Sequence, residues 1–237
     1  MQNETVTIQS HDGSEFTAYV TYPVSERPEG AVLVIQEIFG VNANMREICQ
    51  SLSNAGYVAI CPDLFWRQEP NVDITDQTEE EWAKAFELFN GFDIDLGVKD
   101  LTSTLNFIRN HEKCNGKVGT VGYCLGGQLA FLMACRSDAD CNVSYYGVGL
   151  DNFLGEADAI SSPLLMHVAE LDKFVPEEAR DKIVAKMDGH PQTELYVYRE
   201  VDHAFARVGG EHYDEKAAAQ ANISTADFLA KNLIEQA

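Results

Sequence analysis

Three residues that together could perform nucleophilic catalysis stand well apart in the sequence. Cys124 lies in the segment Val-Gly-Tyr-Cys-Leu-Gly-Gly, residues 121–127, which has the Gly-x-nucleophile-x-Gly pattern with cysteine in place of the usual serine. This pattern is typical of a sharp turn from a strand into a helix, where glycines permit close backbone approach and the nucleophile projects beyond the sheet. We therefore predict a strand at 117–121 and a helix at 125–136.

A thiol needs a base to become a thiolate, and the base needs an acceptor that fixes its tautomer. Asp172 follows a predicted strand at 163–168, and His203 follows a predicted strand at 194–198. In parallel sheets the reacting groups gather beyond the carboxyl ends of the strands. The chain order of nucleophile, acid and histidine is that of α/β hydrolases, so we predict a triad of Cys124, Asp172 and His203. Asp202 is an alternative acid, but its adjacency to His203 makes the geometry of a common site awkward.

The elements that must position these residues alternate between the two periodicities of secondary structure. Two period-2 segments joined by Asp12-Gly13 predict an antiparallel hairpin at a sheet edge, and continuous apolar runs predict strands covered on both faces. We predict an α/β fold of the α/β-hydrolase kind, with a mostly parallel, doubly wound sheet of seven to eight strands in a single domain over 1–237. The other strands are predicted at 5–9, 16–22, 31–36, 57–61 and 142–146, and the other helices near 45–52, 78–90, 94–108, 176–187 and 213–232.

Composition limits the classes of partner. The 237 residues include 38 acidic and 17 basic side chains, and the net charge of −21 with no basic cluster argues against nucleic acid as a partner. No apolar stretch is long enough for a membrane span, and no secretory signal is recognisable at the start of the chain. We expect a cytoplasmic monomer that acts on a small molecule and does not bind a membrane.

The six cysteines show neither a Cys-x-x-Cys pair nor a spacing with histidine typical of zinc sites. We expect free thiols, no metal and no cofactor.

Five segments resemble the dienelactone hydrolase family over essentially the whole chain. They are Gln-Glu-Ile-Phe-Gly at 36–40, Gly-Tyr-Cys-Leu-Gly-Gly at 122–127, Tyr-Tyr-Gly at 145–147, Glu-Leu-Asp at 170–172 and His-Ala-Phe-Ala-Arg at 203–207. The resemblance implies an α/β hydrolase that opens an enol-lactone through a cysteine nucleophile, converting the dienelactone of chloroaromatic breakdown to maleylacetate. It also implies the same triad, with Glu37 beside the thiol controlling its ionisation. We expect Glu37 to oppose thiolate formation until a substrate displaces it.

The oxyanion of an acyl transfer needs two hydrogen-bond donors. In the elbow geometry these are the backbone N–H of the residue after the nucleophile and one N–H from a loop near the site. We assign them to Leu125 and Ile38.

The substrate residues depart from the family pattern. The resemblance implies two arginines that hold the substrate carboxylate; Arg207 matches one, and Trp82 stands at the other position. An indole cannot form a charge-assisted bond with a carboxylate. Phe86 replaces a family tyrosine, and Tyr145 is assigned to the same pocket. Trp82 and Phe86, four residues apart on one helix face, are either a pocket wall or a plain core contact.

The sequence thus predicts a hydrolase that acts on a dienelactone-like enol-lactone or a related ester through an acyl thioester. One alternative is a general carboxylesterase or thioesterase with a less anionic substrate. A second is a non-catalytic protein of this fold in which Cys124 senses oxidants.

Overall fold

A computed structural model describes residues 2–25 and 27–234. The chain divides into two compact units, residues 1–119 and 120–237, which are described in turn. The expected single domain over 1–237 includes residues 1, 26 and 235–237, which lie outside the described residues, and it stays a prediction.

The first unit contains four complete strands, three helices and the first part of a fifth strand. The strands follow the order β1-β2-β4-β3-β5; β2 pairs antiparallel with β1 and β4, whereas β3 and β4 are parallel. The Asp12 carboxylate accepts the Ser14 N–H at 2.9 Å in the β1–β2 turn, so the predicted hairpin is confirmed. The elements are β1 Gln2–Gln9, β2 Glu15–Tyr22, β3 Glu29–Ile35, α1 Ala43–Asn54, β4 Val58–Pro62, α2 Glu79–Asn90, α3 Ile94–Arg109 and β5 Cys114–Tyr123.

The second unit continues from the end of β5 and has the strand order β5-β6-β7-β8. Strand β7 is parallel to both β6 and β8. Helix α6 packs on β6 and β7, and helix α4 packs on β6. The elements are α4 Leu125–Arg136, β6 Cys141–Tyr145, β7 Leu164–Ala169, α5 Glu177–Met187, β8 Thr193–Tyr198 and α6 Glu215–Leu233.

The eight predicted strands and the mostly parallel α/β architecture are confirmed. The apolar runs predicted as strands covered on both faces, such as β3, are almost wholly buried. The sequence did not predict two short 3-10 helices, Leu150–Asn152 and Leu154–Ala159. They contain Gly, Asp and Asn and span only three and six residues, which is too short for a hydrophobic period to show.

Candidate active site

Cys124 occupies a strained turn between β5 and α4. Its φ of 57° and ψ of −114° lie in a region that residues with a side chain rarely adopt, and such strain is common at functional sites. A Cβ atom on Gly122 would lie 1.9 Å from the carbonyl oxygen of Gly126, which no real contact permits. Only glycine therefore allows the chain to fold back this tightly before Cys124.

The end of β6 supports the turn. The Cys124 N–H donates to the carbonyl oxygen of Tyr145 at 3.1 Å, and the Cys124 carbonyl accepts the N–H of Gly127 at 3.0 Å. A Cβ on Gly127 would come within 2.5 Å of the same Tyr145 oxygen, so this glycine is also required. Leu125 is the first residue of α4, and N–H groups in a first turn have no intrahelical acceptor. They and the helix dipole favour negative charge beside Cys124.

Asp172 and His203 meet in the second unit, as the sequence predicts. Asp172 lies three residues beyond β7 and His203 five residues beyond β8. His203 Nδ1 and Asp172 Oδ2 are 2.8 Å apart, and both side chains are buried. The other Asp172 oxygen accepts the backbone N–H of Phe174 at 2.9 Å, which fixes the carboxylate.

Cys124 interacts electrostatically with the His203 side chain. Nε2 is buried and has no well-formed hydrogen bond among residues 2–25 and 27–234. Burial by itself lowers the pKa of His203, but the interaction with Cys124 and the hydrogen bond that His203 shares with the Asp172 carboxylate outweigh it and raise that pKa to about 10. A ring that holds a proton this well beside a thiol has the property required of a general base.

Two aromatic rings hold the imidazole edge-to-face. The centroid of Tyr146 lies 5.1 Å from that of His203, and the centroid of Phe174 lies 4.9 Å away. Sequence reasoning did not assign a role to either side chain. Phe174 could have been noticed from its position two residues after Asp172, and Tyr146 from its place beside Tyr145 in a segment already singled out.

Arg207 and Tyr145, the two substrate-binding residues predicted in the second unit, differ in their exposure to solvent. Arg207 lies in the same loop as His203 and is partly exposed. Its backbone N–H donates to the backbone carbonyl of Ala204 at 2.9 Å. Tyr145 is completely buried, and its hydroxyl bonds Thr225 at 2.7 Å and Asn222 at 3.1 Å on α6. Its side chain is thus bound within the core, while its backbone carbonyl supports Cys124.

Glu37, Ile38, Trp82 and Phe86 belong to the first unit. Glu37 and Ile38 lie two and three residues beyond the end of β3 and are buried. The Gln36 amide donates to the Glu37 carbonyl at 3.2 Å, which helps to hold this segment.

Trp82 belongs to a row of aromatic rings rather than a polar clamp. Its ring stacks on Phe86 at 5.5 Å between centroids and meets Phe39 edge-on at 5.1 Å, and its indole N–H donates to the Asp76 carbonyl at 3.0 Å. Phe86 is 38% exposed, whereas a residue whose side chain serves only as a core contact would be buried. Helix α2 carries both rings and begins at the predicted cap, where Thr78 accepts the Glu81 N–H.

All six cysteines are free thiols, as predicted. Within residues 2–25 and 27–234, no three His, Cys, Asp or Glu side chains cluster so as to hold a metal ion. None of the helices described is long and apolar enough to cross a membrane.

A strained turn with the Gly-x-Cys-x-Gly pattern at the end of β5, followed by an aspartate and a histidine after later strands, is the arrangement of an α/β hydrolase. A crystal structure provisionally named as a dienelactone hydrolase of Klebsiella pneumoniae subsp. pneumoniae superposes with a TM-score of 0.84 at 24% identity, covering 97% of this chain and 98% of its own. That likeness supports the fold.

The sequence itself assigns the family. The profile of the dienelactone hydrolase family matches residues 16–233. The carboxymethylenebutenolidase of Pseudomonas putida is 42% identical over 97% of both chains. A protein of Azospirillum brasilense provisionally given the same name is 48% identical over 96% of this chain and 98% of its own. The chain belongs to the dienelactone hydrolase family and is a carboxylic ester hydrolase.

Proposed function

We propose that this enzyme opens an enol-lactone of the dienelactone type, or cleaves a related ester, through Cys124, His203 and Asp172. The observation that supports this most directly is the buried Asp172–His203 hydrogen bond of 2.8 Å, with Cys124 close enough to the same ring to raise its pKa. Relatives at 42% and 48% identity bear the name of the lactone-opening activity. A non-catalytic sensor would need a reactive thiol but no acid–histidine pair.

The proposed reaction begins with transfer of the Cys124 proton to His203, which Asp172 holds in the required tautomer. The thiolate attacks the carbonyl carbon, and the backbone N–H groups of Leu125 and Ile38 stabilise the oxyanion. The bond from carbon to the ring oxygen then breaks, and that oxygen takes the proton from His203. Water, deprotonated by His203, cleaves the thioester and releases the acid and the thiol. An enol is a good leaving group and so suits a sulfur nucleophile.

Glu37 is proposed as the residue that restrains the thiol before substrate binds. Its buried position two residues beyond β3 and its place in the family segment support this role. Glu37→Gln is expected to change both the rate of Cys124 alkylation and turnover; if neither changes, the proposal is wrong.

A second candidate, hydrolysis of less anionic esters, is favoured by the aromatic row of Phe39, Trp82 and Phe86. The family resemblance implies an arginine at position 82, where this chain has Trp82 within the aromatic row. Of the two arginines implied for binding a carboxylate, only Arg207 is matched in this chain. Faster turnover of neutral aryl esters than of dienelactone would support this candidate.

The test measures hydrolysis of dienelactone and of a neutral aryl ester by the wild type, Cys124→Ala and Cys135→Ala. Cys135 lies near the end of helix α4, which begins directly after Cys124, and it provides the matched control. We expect Cys124→Ala to lose at least about 1,000-fold in kcat, because the residues of a triad act as a unit, and Cys135→Ala to keep the wild-type rate. Equal rates for Cys124→Ala and the wild type would exclude the triad mechanism.

We also propose that the enzyme is a single-domain, cytoplasmic monomer. One cooperative unfolding transition, a solution mass of one chain and recovery in the cytoplasmic fraction are the expected results. Two separate transitions, a dimer mass or recovery in another fraction would each overturn the corresponding statement.

A further inference from the structure

The loops that carry Asp172 and His203 are tied together beyond the ends of their strands. After the last paired residues of β7 and β8, the Glu170 N–H donates to the Tyr198 carbonyl and the Leu171 N–H to the Val201 carbonyl, both at 2.9 Å. The Glu200 N–H donates to the Glu170 carboxylate at 2.9 Å. These bonds end one residue before Asp172 and two before His203, so they do not fix the catalytic pair itself.

Asp202 completes the connection. Its Oδ1 accepts the backbone N–H of His203 at 2.6 Å and the backbone N–H of Lys173 at 3.1 Å. One oxygen thus joins the histidine to the residue that follows Asp172. Partial burial acts to raise the pKa of Asp202, but the hydrogen bonds from His203 and Lys173 outweigh it and hold that pKa below the usual range. The carboxylate is therefore ionised at neutral pH, and its bonds are of the stronger, charge-assisted kind.

The outer oxygen of Asp202 faces two basic side chains. Oδ2 lies 3.3 Å from Lys173 Nζ and 3.7 Å from His212 Nε2, and the two nitrogens are 2.6 Å apart. The side chains of Lys173 and His212 are partly exposed, and ion pairs within reach of solvent contribute little. The inner oxygen, which holds backbone, is the one that can set geometry.

We propose that Asp202 is a positioning residue, which fixes the spacing of Asp172 and His203 by bridging their two loops; this role rests on the proposed function. Asp202 is not the acid of the triad, since Asp172 holds His203 Nδ1. Ala204, directly after His203, has a φ of 60°, a conformation that persists only where the surroundings enforce it. Without the Asp202 bridge this backbone is free to relax and carry the imidazole away from the sulfur.

Two substitutions separate the bridge from the charge. Asp202→Asn keeps an oxygen acceptor at the same place, whereas Asp202→Ala removes it. His212→Ala is the matched control, because it removes an outer partner and leaves the bridge intact. We expect Asp202→Ala to lower kcat by about 10- to 100-fold with KM within about twofold, since small misplacements of a catalytic group have effects of this size. Asp202→Asn is expected to stay within about threefold of wild type, and His212→Ala within about twofold.

A second readout does not depend on turnover. The hydrogen bond that His203 donates to the Asp172 carboxylate helps to raise the pKa of His203 to about 10. Loosening the pair in Asp202→Ala should therefore lower that pKa, as followed by NMR of the imidazole and by the pH profile of Cys124 alkylation. Asp202→Asn should keep the wild-type profile. If Asp202→Ala does not fold, Asp202→Ser, whose shorter side chain cannot bridge both N–H groups, is measured with the same expectation.

Wild-type kcat and His203 titration in Asp202→Ala would overturn the bridge, as would equal losses in Asp202→Asn and Asp202→Ala, which would point to charge alone. These outcomes differ from a failure of the proposed function, in which Cys124→Ala would remain active. An inactive Cys124→Ala together with an unaffected Asp202→Ala would reject the bridge and leave the triad standing.

Discussion

His167 should make the stability of the protein fall steeply in mild acid. The ring is buried in the second unit, with Nδ1 2.9 Å from the Tyr198 hydroxyl and Nε2 2.9 Å from the Thr225 hydroxyl. Hydroxyls can donate or accept, so the neutral ring is satisfied by one donor and one acceptor. Protonation would place a charge in this apolar setting, and burial lowers the pKa of His167 from 6.5 to about 3.

The sign and size of the effect follow from linkage. Because the folded protein binds this proton only near pH 3 and the unfolded chain binds it near 6.5, the contribution is fully present above 6.5 and is lost as pH falls from 6.5 toward 3. Each pH unit in that window is worth about 1.4 kcal/mol, so lowering pH from 7 to 5 should remove about 2 kcal/mol of the free energy of unfolding.

Urea unfolding at pH 7 and pH 5 measures this loss directly. His167→Gln keeps a side chain able to hydrogen-bond but removes the titration, so its loss between the two pH values should be about 2 kcal/mol smaller than that of wild type. His190→Gln, the same substitution at a partly exposed histidine, controls for the chemical change itself. Identical losses in wild type and His167→Gln would refute the reasoning.

Two further outcomes test the pocket and the elbow. Trp82→Arg should increase the preference for dienelactone over a neutral ester by about 10- to 100-fold in kcat/KM, as expected for one charged hydrogen bond; an unchanged ratio would show that position 82 does not contact substrate. Gly122→Ala should destabilise the fold by more than about 4 kcal/mol, because its Cβ would overlap Gly126. Gly155→Ala, with no atom within 4 Å of the new Cβ, should unfold like wild type, and a stable Gly122→Ala would contradict the elbow geometry.

Sequence patterns predicted the fold because its strands are apolar runs bounded by clear turn signals. Strand β3 and strand β4 are buried on both faces, so their composition alone sets them apart from helices. The Asp172–His203 contact was also predictable, since strand order places the ends of β7 and β8 side by side. These relations depend on backbone topology, which hydrophobic pattern encodes.

Contacts that depend on side-chain direction were not predictable in the same way. Tyr145 stands in a family segment, yet its hydroxyl bonds helix α6, 77 residues or more along the chain. Asp202 was weighed only as a rival acid, because adjacency to His203 argues against one role without indicating another. Its bond to the Lys173 N–H arises from two loops that meet only in the folded chain.

The proposed triad and the residues predicted to select the substrate lie in different parts of the sequence. Cys124, Asp172 and His203 all lie in residues 120–237, where strain and hydrogen bonds fix them. Trp82 and Phe86 lie on α2 in residues 1–119, where aromatic contacts, the bond from the Trp82 indole to the Asp76 carbonyl and a helix cap help to position them. Under the proposed function, substitution on α2 is expected to change which ester is selected without disturbing the hydrogen bonds around Cys124, Asp172 and His203. We therefore expect the proposed cysteine chemistry to be retained in this chain while Trp82 and Phe86 alter its choice of substrate.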